Sequence, residues 1–297
     1  MRYLKARDWN LDLAEKLLRG TVEWRKTYKP SLIDCRWCHE KPGFHSLRQI
    51  GFDELGRPVL YCCFAQATVH KYSIEDAVAH CAYTFESAIG SMAPNVHSWV
   101  LVLDCSGMTL PACSPKLGYG VTQILANHYP EQLGQVLCVN HNALFEGVWK
   151  AIKAFLHPNT ASKMRLVRGK RKVKDAFEKF FPPELSEWLN EEVLLNRKKP
   201  LIPSQQFFWR KPEVHPHDPR GCPSYVAEYL DCRKENHRIH PNIVDELKGR
   251  ICQAITIERE EAPYDADSSD DGESEIVGKI PIKDEFQIPS GASQITM

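Results

Sequence analysis

Residues 129–163, YPEQLGQVLCVNHNALFEGVWKAIKAFLHPNTASK, constrain the fold more than any other stretch. Pro130 ends whatever helix precedes it and biases Tyr129 towards extended backbone. Residues 136–139, Val-Leu-Cys-Val, are an unbroken apolar run, the pattern of a strand buried on both faces. Phe145, Val148, Trp149, Ile152, Phe155 and Leu156 then recur at helical spacing, with Glu146, Lys150 and Lys153 on the other side. This bulky stripe allows two readings: a core helix packed on a parallel sheet, or a mobile lid over an apolar cavity.

The same alternation runs through the preceding chain. Asn10 is placed to cap a helix over residues 11–28, with Ala14, Leu17, Leu18, Thr21 and Val22 as its apolar face. Strands at 46–52 and 59–64 flank the turn Asp53-Glu-Leu-Gly-Arg-Pro58, where Gly56 supplies the turn geometry and Pro58 opens the second strand. Ser73, with Asp76 three residues on, caps a helix to about residue 92 whose stripe is Val78, Cys81, Ala82, Phe85, Ala88 and Ile89. Residues 99–103 are another buried strand. Ser114-Pro115 opens a helix with Leu117, Val121, Ile124, Leu125 and His128 on one side. After the central stretch come a short strand at 164–167 and a helix at 173–181. The expected fold is therefore α/β, a mostly parallel sheet flanked by helices and preceded by a small helical lobe.

With 38 basic and 38 acidic side chains in 297 residues, no net charge draws the whole chain to nucleic acid or to an anionic membrane; any such attraction is local. Residues 163–174 hold seven cations, either a solvated turn or a membrane-facing patch. They lack the interleaved aromatics of a single-strand groove, so no nucleic-acid partner is expected. There is no apolar run of membrane-span length and no apolar signal core at the N-terminus. Eleven unevenly spaced cysteines then fit reduced thiols, and the expected location is cytoplasmic.

Enzyme motifs are lacking: there is no G-x-S-x-G elbow and no P-loop. Cys232 and Arg238 have the spacing of a cysteine-phosphatase loop, but RKENH between them lacks the glycines that ring a phosphate with amides. Cys35-Arg-Trp-Cys38-His39 has the haem-attachment pattern without an exported chain, and as a zinc site it is two ligands short. His215, His217, Cys222, Cys232, His237 and His240 match no common zinc spacing. Neither a metal nor an enzymatic cofactor is expected.

Four ordered motifs carry a resemblance. They are Y-L-K-A-R-x-W-N with E-W-R-K near the start, D-x-x-G-R-P-V at 53–59, a strand leading to D-x-x-G at 104–107, and Y-P-E-x-L-G through F-L-x-P-x-T-x-x-K at 129–163. Over about residues 2–190 the chain resembles the CRAL-TRIO lipid-binding domains. These include the yeast-type phosphatidylinositol/phosphatidylcholine transfer proteins and the tocopherol- and retinal-binding proteins. The resemblance implies a hydrophobic lipid pocket in a domain over 40–195, with a shortened helical lobe at 1–29. The helix at 145–155 becomes the gate, carrying Phe145, Val148, Trp149, Ile152 and Phe155.

In phosphatidylinositol-binding members the headgroup residues fall on Arg7, Glu131, Thr160 and Lys163. Arg7 and Lys163 would meet the phosphate and Thr160 would donate to it, while Glu131 would orient Lys163 and accept from an inositol hydroxyl. Departures from the pattern are Asp8 where a second lysine often stands, His157 for aspartate, Asn142 for proline, and Ser186-Glu187 for the closing glycines. Leu60, Trp99 and Leu101 replace the hydroxyl and phenol groups that serve choline, so the second hydrophobic ligand is not expected to be phosphatidylcholine. The implied partners are membrane phospholipids, exchanged during transient contact with an anionic surface.

Pro200, Pro203, Pro212, Pro216, Pro219 and Pro223 interrupt the chain after residue 196, leaving a partly helical extension at 196–257 with a helical patch at 225–251. Residues 258–275 carry nine acidic side chains and one arginine, too polar to order alone, so 258–297 reads as a disordered tail. Ser268 and Ser269 beside Asp270 and Asp271 suit an acid-directed kinase. An interaction module, with a vestigial pocket and a tail that recruits a protein partner, is the competing function. A carrier of one hydrophobic small molecule is the other.

Overall fold

The computed structural model describes residues 1–33, 43–67, 74–109, 114–154 and 156–208. The Cys35–His39 motif, Ser73, Phe155, the helical patch at 225–251, the His/Cys cluster of 215–240 and the acidic tail lie outside the described residues.

Five strands form one sheet in chain order: β1 (Arg48–Phe52), β2 (Pro58–Cys63), β3 (Trp99–Asp104), β4 (Leu133–Val139) and β5 (Met164–Val167). β1 and β2 are an antiparallel hairpin and the remaining junctions are parallel, as an α/β chain with helical crossovers requires. The hairpin turn is held by Asp53, which accepts from the Leu55 and Arg57 amides and pairs with the Arg57 guanidinium at 2.6 Å.

The helices are α1 (Arg2–Lys5), α2 (Leu11–Tyr28), α3 (Ile74–Ser91), α4 (Pro115–His128), α5 (Ala143–Lys153), α6 (Pro158–Ser162), α7 (Lys170–Phe180), α8 (Pro183–Leu195) and α9 (Pro203–Gln206). Their starts follow side-chain chemistry. Asn10 accepts from the Leu13 amide, Ser114 from Leu117 and Asn142 from Phe145, each cap stabilising its helix by about 1 kcal/mol.

Several expectations change. α5 stops at Lys153, short of Leu156. α7 begins at Lys170, because Gly169 at φ 93° turns the chain into the helix earlier than the apolar spacing indicates. α8 was not foreseen, although Pro183 at its first turn and the buried Leu185, Trp188, Leu189, Glu192 and Val193 have helical spacing. α2 buries Ala14, Leu17 and Thr21, while Leu18 and Val22 remain 43% and 45% exposed. α3 buries polar His80, Thr84 and Glu86 as well as Ala82, Phe85 and Ala88, because it is covered on more than one side.

The sheet has two unlike faces. Val59, Tyr61, Cys63, Val100, Val102, Leu137 and Val139 point to one, where α7 and α8 seal them with Phe177, Phe181, Leu185 and Leu189. Each of these large side chains contributes about 2–3 kcal/mol by leaving water. The other face carries Leu60, Trp99, Val136 and Cys138, under Phe85 of α3, Tyr129 and Phe145 of α5.

α2 docks on this second face's helices through polar contacts. Arg25 donates twice to Glu86, at 2.8 Å each, and the Tyr129 hydroxyl donates to the same carboxylate at 2.8 Å. Thr21 donates to the Asn127 carbonyl, and Trp24 stacks on His128 with centroids 4.0 Å apart. Burial, with Arg25 nearby, pushes His128 down to about 4 from the usual 6.5. The unfolded chain therefore binds a proton on this ring across pH 4 to 6.5 that the fold does not, so stability rises with pH through that window. Acidification from pH 7 to 4.5 is expected to cost at most about 2 kcal/mol here, since the ring is only half enclosed. Thermal melts against pH should show the dependence flattened in His128→Gln.

Candidate functional site

Leu101 and Leu103 lie on β3, the middle strand, yet both side chains are partly accessible, as is Cys62 beside them on β2. Neighbouring strands block access from the sides, so the open space must lie above the sheet, between it and the helices. The side chains around that space are apolar and also only partly buried: Phe64, Val121, Ile124 and Leu125 of α4's flank, Trp149 and Met164. Among the described residues the opposite face has less of this slack, with Ala65, Val167 and Phe180 partly buried against its core. A central β-strand normally has its side chains packed away; here one face is left with room.

α5 closes this space. Phe145 is buried, whereas Val148, Trp149 and Ile152 are partly accessible; Phe155 is outside the described residues. The helix is anchored at its start by Asn142, which caps it and also donates to the Met108 carbonyl at 3.5 Å. Further along, the Ile152 side chain sits directly on Gly118 of α4, where a Cβ would overlap it. Phe145 of the stripe is thus core, while Val148, Trp149 and Ile152 remain partly accessible.

At the rim, Glu131 is held at φ 58°, a left-handed backbone unusual for a non-glycine residue. Its two carboxylate oxygens accept from Asn159 at 3.0 Å and Lys163 at 3.1 Å. The pair is only partly exposed, at 22% and 17% for the side chains. Lys163 is fixed in turn by its carbonyl, which accepts from Val136 as β5 begins. Thr160 lies one helical turn before Lys163 on α6, and its hydroxyl makes no hydrogen bond among the described residues. Glu131, Thr160 and Lys163 are therefore brought together, and Asn159 joins them without having been singled out in the sequence.

Arg7 is not bonded to this group. Its guanidinium donates to the Ala6 carbonyl at 2.8 Å and meets no carboxylate among the described residues. The neighbouring Asp8 does reach the site, pairing with His157 at 3.3 Å ahead of α6. The two departures noted separately in the sequence are thus partners, an acid and a base standing where the family pattern has a base and an acid.

Three of the seven cations of 163–174 have partners among the described residues, and Arg168, Lys170, Arg171 and Lys172 are exposed. Lys163 pairs with Glu131, Arg165 lies 5.2 Å over the Phe180 ring, and Lys174 is 3.7 Å from Glu178 on α7. Leu60 and Trp99 are fully buried, and Trp99 stacks on Phe85 at 5.0 Å. Among the described residues no helix is long and apolar enough to cross a membrane, and no cluster of three or more His, Cys, Asp or Glu is placed to hold a metal.

Residues 47–188 match the family model described as the CRAL/TRIO domain. Two CRAL-TRIO domain-containing proteins of Schizosaccharomyces pombe are 30% and 29% identical over 189 and 167 residues, covering 58% and 56% of this chain. The chain spans only 40% and 16% of those two relatives. The phosphatidylinositol/phosphatidylcholine transfer protein SFH11 of Arabidopsis thaliana is 24% identical over 256 residues, 79% of this chain and 68% of its own length. Among solved structures, the crystal structure of Sfh5 aligns with 56% of this chain and 62% of its own at 19% identity, with a TM-score of 0.46. The sequence motifs, the mixed five-stranded sheet and the matched residues agree: residues 47–188 of this chain are a CRAL/TRIO domain.

Proposed function

We propose that this protein binds phosphatidylinositol or a phosphoinositide without enzymatic chemistry and exchanges it between membranes. The acyl chains would occupy the space under α5 and the headgroup would meet Lys163, Thr160, Glu131 and Arg7. The observation that carries this reading is the partly accessible apolar lining above Leu101 and Leu103, in the middle of a sheet whose other face is sealed. The CRAL/TRIO domain at 47–188 and the similarity to a phosphatidylinositol/phosphatidylcholine transfer protein support lipid binding in general. The choice of an anionic headgroup rests on the rim.

Two acyl chains of about 30 methylenes would cost more than about 20 kcal/mol to expose to water, so exchange has to take place with the protein docked on a bilayer. Chain burial nearly cancels between bilayer and pocket, and headgroup contacts then select the lipid. Lys163 and Arg7 supply charge, the Thr160 hydroxyl is free to donate, and Glu131 holds Lys163 in place. The protein would work at a cytoplasmic membrane surface as a peripheral visitor, with a second hydrophobic ligand of other chemistry sharing the pocket.

Vesicle-to-vesicle transfer of labelled phosphatidylinositol tests the assignment. Lys163→Ala removes a charge-assisted contact and is expected to slow transfer tenfold or more; Glu131→Ala should slow it by a smaller factor. Native mass spectrometry of the purified chain should show phosphatidylinositol bound. Unchanged transfer in both variants would remove the site assignment.

A further inference from the structure

On the far side of the sheet a groove of about 660 Å³ runs along the seam between α7 and α8. Its floor is apolar: Val173, Phe181 and Val193 are at most 4% exposed, and Leu194 stands 41% exposed at its edge. The sheet separates it from the space under α5, since these floor residues belong to the core of the opposite face.

The groove has two electrical ends. α7 starts beside the C-terminal edge of the sheet, because Val167 of β5 pairs with Val139 at the end of β4. α8 runs the opposite way and finishes at that same edge, where Asn196 donates to Tyr61, itself bonded to Asp104 at the end of β3. Lys170 and Arg197 therefore share one end of the groove, with the positive end of the α7 dipole, while Lys174 lies one turn further in, 3.7 Å from Glu178. The other end holds Glu178, Glu187 and Glu54, the last from the β1–β2 turn at the N-terminal edge of the sheet. No acid stands in the first turn of α7 to offset its cations, an arrangement that disfavours the helix locally by a few tenths of a kcal/mol per charge.

We infer that the α7–α8 seam is a docking groove for a short peptide segment of a partner protein, apolar at its centre, acidic at one end and basic at the other. Lys170 and Glu178 are eight residues apart on one helix, about 12 Å, which about four extended residues span. The opposite signs decide the class of occupant. A bilayer or a nucleic acid presents one sign of charge over a much longer distance and would be repelled by the acidic end. A peptide matches both ends at once, and its apolar centre covers the floor.

Selection from a random twelve-residue peptide library on the full chain tests this. Enriched peptides should carry an acid and a base separated by about four residues, with apolar side chains between. A selected peptide, measured by fluorescence anisotropy, should lose at least tenfold in affinity on Lys170→Glu/Lys174→Glu and on Glu178→Lys/Glu187→Lys. Selection repeated on either variant should return a different charge pattern. These four positions are all solvent-exposed, so the variants are expected to fold as the parent does. No enrichment, or equal affinity for parent and both variants, overturns the proposal. So does sedimentation showing that the parent dimerises and that the same variants abolish the dimer, since a second copy would then fill the seam.

Discussion

Leucine at Gly118 is expected to hold α5 off its seat and to release bound lipid faster. Gly118 lies in α4, and a Cβ there already overlaps Ile152 Cδ1 of α5. The tip of an isoleucine can yield a little, so alanine is the mild case and leucine the severe one. Overpacking of this kind costs about 1–3 kcal/mol, which raises the open population of α5 roughly 5- to 150-fold. The same substitution has an opposite effect on the helix itself, because glycine inside a helix is about 1 kcal/mol less favourable than alanine. Gly118→Ala should therefore leave the melting temperature unchanged or higher while lipid retention falls. That divergence separates a seat for the lid from a general structural role. Hydrogen exchange over residues 143–153 and the leak rate of a preloaded fluorescent phospholipid are the measurements. Protection and leak rate equal to the parent's in Gly118→Leu would show that α5 does not depend on this contact.

The largest effect on stability is expected at Arg48. Its guanidinium donates to Glu192 at 3.2 Å, with the two side chains 8% and 4% exposed. It also donates to the Gln66 side chain and lies 5.0 Å over the Tyr61 ring and 4.4 Å over Phe208. Arg48→Ala leaves the Glu192 carboxylate buried with only the amides of Gln66 and Asn196 to bond it. Breaking a buried pair from one side costs about 3–5 kcal/mol, so the melting temperature should fall by roughly 6–20 °C. Arg48→Met combined with Glu192→Leu removes both charges together and should recover most of the loss. Gln205 is 2% exposed and donates to Asn196 in the same network, so a chain ended at Pro200 should melt below one ended after Phe208. Equal melting temperatures for Arg48→Ala and the parent would mean that water reaches Glu192.

Much of the rim was legible from the chain because it is local. Glu131 follows Tyr129-Pro130, and Thr160 and Lys163 follow Pro158, so a motif of 35 residues carries three of the four proposed headgroup positions. Arg7 belongs to a separate element, and where its side chain points relative to Lys163 depends on how α2 docks. α8 was not foreseen although Leu185, Trp188, Leu189 and Val193 recur at helical spacing, because Pro183-Glu-Leu at its start reads as a closing turn. Asn159 escaped notice because an asparagine after proline reads as a turn residue, whereas here it bonds Glu131 across 28 positions.

The caps at Asn10 and Ser114, the turn at 53–58 and the succession of strands along the chain were determined by the sequence itself, since caps act within three residues and a buried strand declares itself by an apolar run. Tertiary structure alone decided which face of the sheet is sealed and which is left open. It also brought Arg25 to Glu86 across 61 residues and Asp8 to His157 across 149. The reason is physical: hydrogen bonds within a turn are set by neighbours, whereas an ion pair, a seat such as Gly118 or an empty space exists only once separate elements have come to rest against one another.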